Sequence, residues 1–209
     1  MESQLRQQQY QQFTLFQESA DTVRHKCHDL KHMIAVLQQE GGTAQSQQLL
    51  QEMQTAVTRY DAAINTGNNT LDALLSKTWN SCEQRSIQWT CMADGSALEF
   101  MDAFDLYILL GNALDNAIEC LTAVPEPEKR FLSVNIRRKD GIVLLCLRNY
   151  CNHTLTFEQG LPVTTKADKS EHGYGTRSIR DIAEKYNGHM SAKVEHDIFT
   201  LNILLPIPQ

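Results

Sequence analysis

Three groups of residues in this chain have types and spacings that suit chemistry. The first is His28-Asp29-Leu30-Lys31-His32. An imidazole beside a carboxylate is a nucleophile whose second ring nitrogen has somewhere to send its proton. Lys31, about one helical turn from His28, supplies positive charge where a phosphate would bring negative charge. His28 and His32, four apart, also suit a metal, but no Glu or Cys clearly completes a tetrahedral set. Taken alone, the segment reads first as a solvated helix face that carries histidines. The second group is Asn112-Ala113-Leu114-Asp115-Asn116-Ala117-Ile118-Glu119, inside a strongly apolar run. Asn112 and Asn116 share a helical face, as do Asp115 and Glu119. Burying such groups is costly without partners. Amide oxygens suit a hard cation such as magnesium, which takes few protein ligands. A two-faced helix is the plainer alternative, although a solvated face more often carries Lys, Arg or Glu. The third is His172-Gly173-Tyr174-Gly175-Thr176-Arg177, running into a helix. Glycines let a backbone approach a phosphate, and the free amides of a helix start point at it. A simple helix cap at Thr176 or Ser178 explains the same residues.

The elements that must position these groups follow from periodicity. The first 64 residues are rich in glutamine and lack proline. Apolar residues recur at steps of mostly three and four: Leu5, Phe13, Phe16, Ala20, Val23, Cys27, Leu30, Ile34, Leu37. That spacing predicts one long helix with Cys27, Leu30 and Ile34 facing inward. Gly41-Gly42 is a stop, and Leu49, Leu50, Met53, Val57, Tyr60 and Ile64 predict a second helix. The product is an αα-hairpin whose apolar stripe is best covered by a second copy, as a four-helix bundle. Asn65-Thr66-Gly67-Asn68-Asn69-Thr70 is a turn-rich boundary, dividing the chain at about residue 65. Beyond it the pattern is mixed. Helices are predicted over 71–84, 104–123 and 176–186. Strands are predicted over 87–92, 132–138, 142–147, 191–194 and 199–205, with a hairpin turn at Asp140-Gly141. The polar stretch Asn149 to His172, with Thr164-Thr165-Lys166 inside it, is too long for a tight turn and suits a lid.

Composition sets the outer limits. The chain has 209 residues and a formal net charge of −6, which argues against nucleic acid held by a global positive charge. Six cysteines contain no CxxC pair and several sit in apolar runs, which favours a reducing compartment. No run approaches the roughly 18 apolar residues of a membrane span, and no secretion signal precedes the helix. A cytoplasmic chain is expected. The cytoplasmic part of a membrane receptor would look the same.

The order of the three groups is more informative than any one of them. A histidine on a helical hairpin, then an Asn-bearing helix, then a glycine turn before a helix resembles a sensor histidine kinase over nearly the whole chain. His28-Asp29-Leu30-Lys31-His32 is similar to the phosphoacceptor box of the peptide quorum-sensing kinases. Asn112 to Glu119 resembles the N box of the GHKL ATPases, and Gly173-Tyr174-Gly175 resembles their second glycine box.

The resemblance implies an α+β architecture: residues 1–65 as the dimerising, phosphoaccepting hairpin, and 66–209 as a Bergerat-type α/β sandwich that binds ATP. It implies His28 as the phosphorylated residue and Asp29 as its general base. Asn116 would hold Mg2+, with Asn112 near the phosphates and Gly173 and Gly175 letting the lid and helix start close over them. Lys166 and Arg177 become candidate phosphate contacts. The implied partners are a second copy, a response regulator receiver domain and an upstream membrane sensor. The loop Asn65–Asn69 would be the hinge. One departure stands out: most of the family carries an Asp-x-Gly-x-Gly box whose Asp binds the adenine amino group. Here Asn149 stands near that place, after the strand, and no glycine pair follows. The peptide-sensing subgroup is similar in this. Weaker nucleotide binding is expected, because an amide lacks the carboxylate's charge. The competing reading is a non-catalytic phosphotransfer or scaffold protein with a degenerate ATPase-like domain.

Overall fold

The computed structural model describes residues 2–39, 47–53, 65–152, 157–158, 161–162 and 174–208. The chain divides into two compact units, Met1–Asn65 and Thr66–Gln209.

In the first unit a single helix, α1, runs Glu2–Gln39. A second helical stretch, α2, spans 47–53. The glycine turn at Gly41-Gly42, and Val57, Tyr60 and Ile64, lie outside the described residues. The apolar residues of α1 fall into two rows, each with a seven-residue step. Phe13, Ala20, Cys27 and Ile34 form the first, and its ends, Phe13 and Ile34, are buried. Phe16, Val23, Leu30 and Leu37 form the second, with Val23, Leu30 and Leu37 left 37%, 39% and 50% exposed. Leu30 therefore does not face inward with Cys27 and Ile34 as its spacing predicts. It belongs to the second row, which the chain itself leaves largely uncovered.

The second unit is α+β. Its elements are α3 (Asn69–Gln84), β1 (Gln88–Ala93), α4 (Ala103–Thr122), β2 (Phe131–Lys139), β3 (Ile142–Tyr150), a two-residue pair β4 (Phe157–Glu158) and β5 (Leu161–Pro162), α5 (Tyr174–Lys185), β6 (His189–Glu195) and β7 (Ile198–Pro206). Five strands form one mixed sheet in the order β1-β2-β3-β7-β6, with β1 parallel to β2 and the other pairs antiparallel. Period-two alternation gives each strand an inward row. Leu132, Val134 and Ile136 of β2 lie beside Val143, Leu145 and Leu147 of β3 and Leu201, Ile203 and Leu205 of β7, all buried. α3, α4 and α5 form one layer against that sheet.

Local chemistry explains the boundaries. Asp102 caps α4, its carboxylate accepting from the amides of Phe104 and Asp105 at 2.9 and 3.2 Å. Asn187, at φ 55°, ends α5 in the left-handed region. Asp140 and Gly141, at φ 49° and 77°, turn β2 into β3 in the geometry the twist of a hairpin prefers. The Arg130 guanidinium donates to the carbonyls of Val124 and Arg85, tying down the chain just past α4 and α3.

Two expectations change here. β3 runs three residues further than predicted, so Asn149 lies within the strand and not in the polar stretch after it. Asn149 pairs with Leu132 on β2 and Phe199 on β7. Its polar type, with Arg148 before it, hid the continuing alternation. The loop Asn65–Asn69 is not a free hinge over its whole length. Thr66 donates from its amide and its hydroxyl to Asp72 Oδ1 at 2.8 and 2.6 Å. Gly95 donates to the Thr66 carbonyl at 2.9 Å, and Asn68 caps α3 by accepting from the Leu71 amide at 3.1 Å. Thr66 to Asn69 is thereby built into the second unit.

Candidate functional site

The site is read most directly along α4. Asn112, Asn116 and Cys120 are spaced four apart. Each step of four advances about 6 Å along a helix and rotates about 40°, so the three form a slowly winding stripe.

At one end of the stripe is the start of α5. Gly175 lies so close to Asn112 that a Cβ built on it would stand 3.2 Å from Asn112 Oδ1 and 3.6 Å from its Cγ. The Asn112 amide nitrogen donates to the Ile108 carbonyl at 2.8 Å. That bond leaves Oδ1 as the end directed toward Gly175. At the other end of α5, Lys185 meets Asp105 Oδ2 at 2.5 Å, and the Tyr186 hydroxyl donates to the same oxygen at 2.7 Å. The Tyr186 oxygen in turn accepts from the Asp102 amide at 2.9 Å. With Gly175 at Asn112 and Lys185 at Asp105, the two helices run antiparallel. The N-terminus of α5 then faces along α4 toward Asn116, whose side chain is exposed. Unpaired amides at a helix start favour an anion there.

At the far end of the stripe Cys120 meets the end of β3. Its thiol donates to the Tyr150 carbonyl over 3.7 Å. Burial, with the Cys151 thiol next to it, pushes Cys120 up to about 12, so the thiol keeps its proton and serves as a donor. Asn149 is 1% exposed. Its amide nitrogen donates to the Tyr150 carbonyl at 2.9 Å, and its Oδ1 is buried with no hydrogen-bond partner among the described residues. A buried acceptor left unmade costs about 1–3 kcal/mol, which a ligand bringing an N–H donor would recover.

These features bear on which groups the site fits. A purine amino group supplies the donor Asn149 lacks. The close approach at Gly175 and the start of α5 suit phosphate oxygens. The exposed Asn116 amide and Asn112 Oδ1 are oxygen donors of the kind magnesium takes. Arg177 is exposed on α5 two residues past Gly175. Lys166 and Gly173 lie outside the described residues, as do Thr164, Thr165 and His172.

The phosphoacceptor candidates lie in the first unit, on α1. His28 and Asp29 are 80% and 74% exposed, with Nδ1 of His28 at 3.7 Å from Asp29 Oδ1. That separation is an ion-pair distance rather than a hydrogen bond, and it leaves Nε2 as the outward nitrogen. The structure therefore brings Asn112 and Gly175 together, sets Asn116 one turn further along α4, and joins Asn149 of β3 to Cys120 of α4 through the Tyr150 carbonyl.

Several residues that build the site carry no sequence signal strong enough to single them out. Lys185 and Tyr186 lie 80 and 81 residues beyond Asp105 in the chain. Cys120 reads as one more apolar residue of α4. Only Asp105, a charge inside a strongly apolar run, offers a hint, and it needs a partner that sequence alone does not name.

Among curated proteins nothing matches the chain. Of solved structures, it is similar to the catalytic domain of histidine kinase ThkA, at 17% identity and a TM-score of 0.49, covering 66% of this chain and 92% of that one. It is also similar to the histidine kinase domain of a blue-light activated histidine kinase from Erythrobacter litoralis, at 13% identity and a TM-score of 0.45, covering 91% of this chain and 94% of that one. The model of the GHKL domain family matches residues 101–206, just over half of the chain and the stretch that carries α4, β3 and α5, and the chain belongs to that family.

Proposed function

We propose that this chain is an ATP-dependent histidine autokinase of a two-component system, in the peptide-sensing quorum kinase subgroup. Residues 66–209 bind the nucleotide, and residues 1–65 dimerise and accept the phosphate. The observation that carries this reading is the stripe on α4, with Gly175 against Asn112 at one end and the orphaned Asn149 acceptor beside Cys120 at the other. About 12 Å of helix separates Asn112 from Cys120. Phosphates and base need separate subsites, and the two ends offer opposite chemistries: anion-favouring amides at one, a buried acceptor at the other.

In this reading Asn149 accepts from the adenine amino group. Gly173 and Gly175 allow the start of α5 to close on the phosphates, with Lys166 and Arg177 adding positive charge. Magnesium bound through Asn116 would neutralise the phosphate oxygens, a task the side chains alone perform poorly. His28 attacks the γ-phosphorus through Nε2, the bond to the bridging oxygen breaks, and ADP leaves. The Nδ1 proton, acidified once Nε2 carries phosphate, passes toward Asp29. The phosphoramidate is then transferred to an aspartate of a response regulator.

The second, uncovered row of α1 supports the homodimer. Rows of a and d type alternate at steps of three and four, and a partner helix would seat against the row left open. No described helix is long and apolar enough to cross a membrane. We place the chain in the cytoplasm, alone or as the inner part of a receptor whose sensor lies upstream.

The test is incubation with radiolabelled ATP and magnesium, wild type against His28→Gln. Acid-labile label on the wild type and none on the variant is expected. Label that persists in His28→Gln and survives acid sinks the histidine-kinase reading. Absence of both bound ATP and label returns the chain to a non-catalytic scaffold with a degenerate ATPase-like domain.

A further inference from the structure

We infer that Thr66, Asp72 and Gly95 are positioning residues for phosphoryl transfer: they lock the chain where it enters the second unit, so that the swing toward His28 pivots ahead of Thr66 and not within Thr66–Asn69. The inference rests on the histidine-kinase reading above and adds the device that sets the reach and aim of the ATP-binding unit.

Thr66, Gly67 and Asn68 are residue types that ordinarily make a loose connection. Here every polar group of Thr66 is used inside the second unit. Its amide and hydroxyl donate to Asp72 Oδ1 at 2.8 and 2.6 Å. Bonds to a carboxylate are stronger than those between neutral groups. The Thr66 carbonyl accepts from the Gly95 amide at 2.9 Å. Asn68 closes the ring. Its amide donates to Thr66 Oγ1 at 3.4 Å, its carbonyl accepts from the Asp72 amide at 2.9 Å, and its side chain accepts from the Leu71 amide at 3.1 Å. Gly67, at φ 89°, supplies the left-handed residue that brings Thr66 and Asn68 back together.

Gly95 is the sharper observation. Its φ is not positive, so the backbone alone does not require glycine there. Space does require it. A Cβ would collide with Thr66 Oγ1 and stand 2.8 Å from Thr66 Cβ and 2.9 Å from Asn68 Cβ. Glycine at this place lets Thr66 and Asn68 lie against the chain that follows β1. That chain continues through Asp102, the cap of α4, into the helix that carries Asn112 and Asn116. The latch thus ties the entering chain to the start of α3 and to the connection that leads into α4.

His28 and the nucleotide site belong to different units, so transfer depends on the joint between them. Releasing Thr66 to Asn68 would add three residues to that joint, roughly 10 Å of chain at full extension. The effective concentration of one tethered group at another falls about as the −3/2 power of tether length, or more steeply. A misplacement of about 1 Å can cost about a hundredfold in rate. A freed latch therefore slows transfer. It leaves the nucleotide site, which contains none of these residues, as it was. A latch that served only to start α3 would change stability and not the transfer rate of the folded protein.

The experiment uses the full chain. ATP affinity is measured by titration, and the initial rate of acid-labile labelling is measured at saturating ATP and magnesium. The variants are Asp72→Ala, Gly95→Ala, Thr66→Val and Thr66→Ser. Asp72→Ala and Gly95→Ala are expected to bind ATP within about twofold of wild type and to label at least about fivefold more slowly. Thr66→Val, which loses only the hydroxyl, is expected to label about threefold more slowly, and Thr66→Ser, which keeps it, at the wild-type rate. Wild-type labelling rates in all the folded variants overturn the inference and leave the kinase reading standing. So does a loss of ATP affinity that matches the loss of rate, because the residues would then act through nucleotide binding. If circular dichroism shows Asp72→Ala and Gly95→Ala unfolded, Thr66→Val against Thr66→Ser decides alone. No label on wild type overturns this inference and the kinase reading together.

Discussion

Gly175→Ala separates what the glycine does for folding from what it does for the site. The added methyl would stand 3.2 Å from Asn112 Oδ1, a few tenths of an ångström inside ordinary contact. Asn112 cannot simply rotate away, because its amide nitrogen is bonded to the Ile108 carbonyl at 2.8 Å. Two effects on stability then oppose each other. Alanine is better than glycine in a helix by up to about 1 kcal/mol. Overpacking one contact costs a similar amount, about 1 kcal/mol at the low end of its range. The net change in folding free energy should stay within about 1 kcal/mol, a melting shift of a few degrees. Nucleotide affinity has no such compensation. The methyl pushes Asn112 off its position and fills the space into which a phosphate would come, so a loss of tenfold or more, about 1.4 kcal/mol, is expected. Isothermal titration with ATP and magnesium measures the affinity, and a thermal melt measures the stability. Gly111→Ala is the control: its Cβ would meet nothing within 4 Å. It should gain about 0.5–1 kcal/mol of stability and keep its affinity. Wild-type affinity in Gly175→Ala would show that the approach to Asn112 is only packing.

Three further predictions concern the clamp and the helix face. Asp105→Ala removes the acceptor of both Lys185 and Tyr186; with Lys185 55% exposed the cost is held to about 1–3 kcal/mol, read by urea unfolding, and an unchanged midpoint refutes it. Burial first, and then the Asp105 carboxylate, push Tyr186 from 10.0 up to about 12. The phenol is protonated in both states below pH 10, so its stabilisation is complete there and is lost as pH rises from 10 toward 12. Tyr186→Phe should flatten that part of the stability curve, and an unaltered slope counts against the assignment. Val23→Lys with Leu30→Lys places four charges in a dimer interface. At about 1 kcal/mol each the loss is about 4 kcal/mol, roughly a thousandfold in Kd. Light scattering should show monomer with helicity retained, and a dimer that persists refutes the proposed seam.

Much of the second unit is legible in sequence because its signals are local. Alternation marks the strands, Asp140-Gly141 marks a hairpin turn, and Asn187-Gly188 marks a helix end. Each depends on the backbone preferences of a few adjacent residues. Asn149 is hard to place from sequence because its polar type, with Arg148 before it, masks the period-two alternation that pairing with β2 and β7 carries on to the end of the strand. The Asp105–Lys185–Tyr186 clamp is invisible because its partners lie 80 and 81 residues apart in the chain. The anchoring of Thr66 is subtler. Thr, Gly and Asn announce a loop, and loops suggest motion. Whether a loop moves depends on where its polar groups go, and Asp72 and Gly95 supply the answer. In α1 the sequence supplies the apolar rows, but which row the chain itself leaves open is a tertiary fact.

The two ends of α5 divide rigidity from access, and that division constrains how the site can work. Its C-terminal end is fixed three ways: Lys185 and Tyr186 on Asp105, Tyr186 on the Asp102 amide, and Phe100 edge-on to the Tyr186 ring at 5.9 Å. Ile179 and Ala183 are buried in between. Near its N-terminal end Gly175 lies against the Asn112 side chain. A helix of 12 residues held so firmly at one end transmits any displacement at the other as a tilt about the clamp, about 15 Å away. The clamp thereby fixes where the helix amides aim. A site that must grip a triphosphate and also release it is better served by that arrangement than by a helix packed tightly along its whole length. Tightening the near end, as Gly175→Ala does, should therefore cost function before it costs stability.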